Sequence, residues 1–114
     1  TGTDPDKFVK FYQAVIDKLK KQDIAVALAT PACIGEKTDH SNDQDGDLNQ
    51  YSKLIRGLAQ KNGLKVCDLR QKVLDYNLKN NIENREKGIL TTDRVHLNDA
   101  GNQFVAEAMW EVIK

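Results

Sequence analysis

Apolar residues recur at helical spacing in some stretches of this chain and form short continuous runs in others, and the switches between the two patterns divide it into helices and strands. Phe8, Phe11, Tyr12, Val15, Ile16 and Leu19 repeat at helical spacing, with Lys7, Lys10, Asp17, Lys18 and Lys20 mostly off that face, which predicts a first helix covering a core. Asp4 or Thr3 caps it, Pro5 suits its first turn, and Asp6 lies at the positive end of its dipole. Ile24 to Ala29 is then continuously apolar, short and stopped by Thr30-Pro31, the pattern of a strand buried on both faces of a parallel sheet. After a polar stretch, a second helix starts at Asp47 or Asn49, buries Leu48, Tyr51, Leu54, Ile55, Leu58 and Ala59, and stops at Asn62-Gly63. Leu64 to Asp68 predicts a second strand, Leu69 to about Asn80 a third helix, and Asn81 to Leu90 an irregular connection. A last helix opens at Asn98 or Asp99, with Phe104, Val105, Ala108, Met109, Val112 and Ile113 on a broad apolar face and Trp110 at its edge.

This order is α/β, and it is incomplete. Two parallel strands clad by four helices leave a sheet edge uncovered and several apolar helix faces without a partner. The expectation is a chain that is not a stable monomer alone, completed by a second polypeptide or by another copy pairing through the open edge. A length of 114 residues is normal for a small domain, so length does not expose a truncation. The first residue is Thr1 rather than Met, read here as a processed, engineered or cut N-terminus. Formal net charge is zero with acids and bases interspersed, and no basic stripe suits a phosphate backbone, which argues against nucleic acid as partner. No apolar run approaches the roughly 18 residues that span a bilayer, and no signal peptide is visible. Cys33 and Cys67 make neither a disulfide framework nor a zinc site; Cys67 reads as a small core residue, and Cys33 lies past the neighbouring strand, where a bridge between the two is an open alternative.

The stretch with the most chemistry is Thr91-Thr92-Asp93-Arg94-Val95-His96-Leu97-Asn98-Asp99-Ala100-Gly101. It puts a carboxylate three residues before an imidazole, just ahead of a helix. A His takes a proton from a serine when its other ring nitrogen is held as the donor, and a neighbouring Asp does that while stabilising the imidazolium that forms. The bland alternative is a helix cap and a buried, satisfied histidine. Asp68, at the carboxyl end of the second strand, is a rival to orient His96, although a cap for the helix from Leu69 is the preferred reading. In the polar run from Gly35 to Asp47, aligning Gly46 with the glycine of a calcium loop puts Ser41 first and Ser52 last and leaves out the bidentate Glu, so a solvated loop beside the site is favoured over a metal loop. His40 in that run reads as a surface histidine. A metal hydrolase built on His40, His96 and nearby acids lacks a ligand cluster of recognisable spacing.

As a whole, Asp93 to Gly101 resembles the last sequence block of the SGNH, or GDSL, esterase and lipase family, where Asp-x-x-His-x-Asn-x-x-Gly opens the final helix. The resemblance implies a flavodoxin-like, three-layer αβα fold with a five-stranded parallel sheet in the order 2-1-3-4-5. Residues 1–114 would be the C-terminal part of one such domain, supplying its last two strands and their helices. The family's nucleophile, the Ser of Gly-Asp-Ser, and the Gly-x-Asn-Asp of its oxyanion hole do not occur here; Ser41 and Ser52 follow no Gly-Asp. The implied function is a serine esterase or acylhydrolase in which His96 is general base and Asp93 orients it. No cofactor or metal is implied, the substrate is a small-molecule ester, and the chain alone is inactive. The implied partner is the missing N-terminal half of the domain or a second copy of the chain; the residues carry no address, and the resemblance alone favours a secreted or periplasmic location. The alternative is a non-catalytic, flavodoxin-like or degenerate hydrolase-like module that adds its open edge to another sheet.

Overall fold

A computed structural model describes residues 4–114, so Thr3, the alternative first cap, lies outside the described residues. Helix α1 spans Pro5–Lys21 behind Asp4, whose Oδ1 accepts from the Asp6 amide at 2.9 Å. Strand β1 (Ala27–Ala29), helix α2 (Asp45–Asn62), strand β2 (Lys65–Cys67), helix α3 (Leu69–Asn80) and helix α4 (Asp99–Ile113) follow. The two strands are parallel, with Ala27 opposite Lys65, Leu28 opposite Val66 and Ala29 opposite Cys67.

Both strands are shorter than the apolar runs that predict them, because the ends of those runs have other work. The Ile24 amide donates to Leu19 O at 3.0 Å and the Leu64 amide to Ala59 O at 2.8 Å, so each closes the preceding helix instead of joining the ladder. Gly63, at φ 65°, makes the left-handed turn that brings Leu64 back onto α2. At the other end of β2, Asp68 is the cap of α3. Helix α2 starts a half-turn or more before Asp47 and Asn49. The reason is Asp45: its carboxylate is paired with Arg70 at 2.7 Å, both side chains only 6% exposed, and also accepts from Asn42 Nδ2. Arg70 is further held by Asn49 Oδ1 and Ala32 O.

The layers follow from strand alternation. Leu28 and Val66 face Ile16 of α1 and Ile55, Leu58 and Ala59 of α2, framed by Phe8, Val9 and Tyr12. Cys67, on the opposite face, meets Ala108, Val105 and Val112 of α4. Helix α4 covers β2 but leaves Ala27 and Ala29 exposed, so within the described residues β1 is buried on one face and not on both. On α4 itself Val105, Ala108 and Val112 face the core, whereas Met109, Trp110 and Ile113, read from the sequence as face or edge, are exposed, as are Phe11 and Val15 on α1. Full burial of a large apolar side chain is worth about 1.5–3 kcal/mol, and these exposed side chains leave that stabilisation unrealised.

The Asp45–Arg70 pair yields a stability prediction. Arg70→Leu leaves a buried carboxylate without its cation and should cost about 3–5 kcal/mol, read as a lowered urea midpoint at unchanged slope. A cost under about 1 kcal/mol would mean that the pair is solvated.

Candidate active site

The site is built from two loops. The first follows β1, and the second joins α3 to α4. Glu36 ties them together: only 1% exposed, it accepts the amides of Ile89 at 3.1 Å, Leu90 at 2.8 Å and Thr91 at 3.2 Å, and the Thr91 hydroxyl at 2.8 Å. The Gly35 amide adds a bond to Arg94 O at 2.8 Å. Beyond the clasp the chain makes a narrow hairpin, with Thr91 bridged to Leu97 and the Thr92 amide on His96 O at 2.9 Å.

That hairpin carries the predicted dyad. Asp93 Oδ1 accepts from the amides of Val95 at 3.1 Å and His96 at 2.7 Å, and Oδ2 lies 2.6 Å from His96 Nδ1. The two bonds to backbone fix the carboxylate, and the fixed carboxylate holds the ring by Nδ1. The imidazole's Nε2 is then the free acceptor, and the His96 side chain is 80% exposed. The Asp93 carboxyl is held down to about 2, first by the His96 amide and next by the His96 ring, so it is ionised at neutral pH. The alternative of a buried, satisfied histidine is therefore not what the fold contains.

The rest of the Asp-x-x-His-x-Asn-x-x-Gly block locks the hairpin to α4. Asn98 caps the helix by accepting from the Gly101 amide at 2.8 Å, and its own amide donates to Leu90 O at 2.9 Å. Gly101 has no room for a side chain: a Cβ there would lie 2.0 Å from Leu90 O. The glycine lets the first turn of α4 sit directly on the strand-like segment that precedes Asp93.

Other candidates fall to structural roles. Asp68 caps α3 through the Gln71 amide and is held by both Arg56 Nε at 2.7 Å and Arg56 Nη2 at 2.8 Å, and by the Thr30 hydroxyl, so it is engaged away from His96. Ser41 donates to Asp39 in the exposed loop, and Ser52 is wholly buried with no partner for its hydroxyl. Neither serine is bonded to His96. His40 is an exposed loop residue at φ 61°. Cys33 and Cys67 are free thiols, and burial, followed by the nearby Glu36, pushes the Cys33 thiol up to about 11. No helix among the described residues is long and apolar enough to cross a membrane.

The GDSL-like Lipase/Acylhydrolase family matches residues 1–104. The chain belongs to this family. Among solved structures, an acetyl xylan esterase superposes with a TM-score of 0.97 at 65% identity, over all of this chain and 58% of its own. The chain thus spans 58% of that esterase's length, and the two strands and four helices of its described residues are a partial αβα fold of SGNH type. No curated protein gave a match. In this GDSL-family chain the sequence pattern reaches Asp93 and His96 but not Glu36, which reads as one acid in a solvated run. Its partners lie 53 to 55 residues away, and no local periodicity encodes such a pairing.

Asp93 offers a direct check on the hairpin. Its folded pKa lies below the ordinary value of 3.8, so the pairing favours the folded turn above that value and loses its contribution as pH falls through about 2. The Asp93 carboxyl carbon resonance should titrate with a midpoint near 2, whereas a midpoint at the ordinary 3.8 would show that the hairpin does not form in solution.

Proposed function

We propose that this chain is the base-bearing, C-terminal part of a serine ester hydrolase, with a nucleophilic serine and oxyanion-hole donors outside residues 1–114. The observation that carries the reading is the 2.6 Å contact between Asp93 Oδ2 and His96 Nδ1, in a chain of the GDSL-like family with Nε2 open to solvent. His96 Nε2 takes the serine proton as the serine oxygen attacks the ester carbonyl, and Asp93 stabilises the imidazolium. The tetrahedral intermediate collapses when His96 returns that proton to the leaving alcohol, giving an acyl-enzyme. Water, deprotonated by the same nitrogen, then attacks the acyl carbon; the acyl–serine bond breaks, His96 returns the proton to the serine oxygen, and the acid is released. Asp93, being ionised, orients and stabilises the ring without itself taking a proton.

The esterase with which the chain superposes is named for acetyl groups on xylan, and an acetyl ester of a carbohydrate is the substrate class we assign. The partner is the N-terminal part of the same domain. Supporting this, Ala27 and Ala29 of β1 and Met109, Trp110 and Ile113 of α4 are uncovered, and the chain spans only 58% of the related esterase. A second copy of the chain would bring more histidines but no further type of nucleophile. By itself the chain is inactive.

The test is hydrolysis of p-nitrophenyl acetate by the full-length protein. His96→Ala should lower kcat by about three to six orders of magnitude. A fluorophosphonate should label a serine outside residues 1–114 in the wild-type protein. Unchanged turnover in the His96 variant would refute the assignment, and absence of both turnover and labelling in the wild type would favour the non-catalytic module.

A further inference from the structure

We propose that Glu36 is a positioning residue for His96, a buried carboxylate that sets the backbone from which the hairpin with Asp93 and His96 projects. The inference rests on the reading of His96 as general base, and it begins with how little else holds the segment between α3 and α4. Ile82 is exposed, residues 85–88 are exposed, and Leu90 is the buried apolar anchor. Anchoring falls to polar groups. Every polar atom of Glu36 is used for it: the amide donates to Glu86 O at 2.9 Å, the carbonyl accepts from Asn81 Nδ2 at 2.9 Å, and the carboxylate takes the four donors of residues 89–91.

All four of those groups are donors, so the side chain acts only as an acceptor, which is the bonding pattern of an ionised carboxylate. Among the described residues no lysine, arginine or histidine pairs with it. Converging backbone dipoles compensate the charge instead, and charge-assisted bonds of this kind are the stronger class. The clasp also has a route to the dyad. The Thr91 hydroxyl donates to Glu36 Oε2 at 2.8 Å and accepts from the Arg94 amide at 3.1 Å. Arg94 lies between Asp93 and His96 at φ 85°, a left-handed conformation that a side-chain-bearing residue keeps only when its surroundings hold it. The Thr91 hydroxyl on one side and Gly35, bonding Arg94 O, on the other supply that hold.

Glu36→Gln tests the idea at constant size. In either orientation its amide NH₂ confronts N–H or O–H donors, so at least one bond is lost and a donor clash replaces it. In the full-length protein with p-nitrophenyl acetate, kcat should fall about 10²-fold with KM little changed, the scale expected for a displaced catalytic group. The ring ¹⁵N shifts of His96 should move from a single Nδ1–H tautomer toward a mixture. Thr91→Val removes only the hydroxyl relay and should lower kcat about 10-fold with the same ¹⁵N signature, while Thr91→Ser, which restores the hydroxyl, should return both to wild type. The threonine pair decides the matter even where Glu36→Gln fails to fold. Wild-type kcat and an unchanged tautomer in Thr91→Val would overturn the proposal. The ¹⁵N readout does not depend on turnover, so it judges the clasp separately from the esterase reading, which stands or falls with His96→Ala.

Discussion

Buried acids hold the loop that follows β1 and tie it to the loop between α3 and α4. Glu36 gathers three consecutive amides and a hydroxyl, and Asp45 meets Arg70 across the start of α2. A carboxylate taken out of water is costly unless its oxygens are met by donors or a cation, and here one is met by dipoles and the other by a guanidinium. Each arrangement makes a loop's path discrete, because moving the backbone by an ångström would leave charge unpaired. The hairpin that presents Asp93 and His96 inherits that definition.

The dyad shows what such rigidity can supply. Asp93 is bonded to two backbone amides before it touches the imidazole, so the carboxylate is placed by the turn and not by the ring. The ring is then held at one nitrogen and open at the other. The His96 side chain is 80% exposed, Ala27 and Ala29 are exposed on β1, and the chain spans 58% of the related esterase.

How much of this the sequence showed depends on how far apart the interacting residues are. The helices and their stops at Asn62-Gly63 and Asn80 were readable because periodicity and capping are local. Asp93 and His96 are three residues apart and formed the expected contact. The strands are shorter than the apolar runs, since Ile24 and Leu64 look like strand by composition but use their amides to finish helices. The start of α2 at Asp45 depends on Arg70, 25 residues on, and Glu36 likewise draws its partners from far along the chain, so neither is legible from local pattern. Gly101 was recognised as part of a pattern, yet its cause, the carbonyl of Leu90 against its Cα, exists only in three dimensions.

The central claim is that His96 serves a serine that this chain does not contain. A crystal structure of the full-length protein after reaction with a fluorophosphonate tests it most directly. The account predicts a modified serine outside residues 1–114 whose Oγ lies about 3 Å from His96 Nε2, with Asp93 still on Nδ1. A modified residue out of reach of His96, or another histidine in its place, would contradict it.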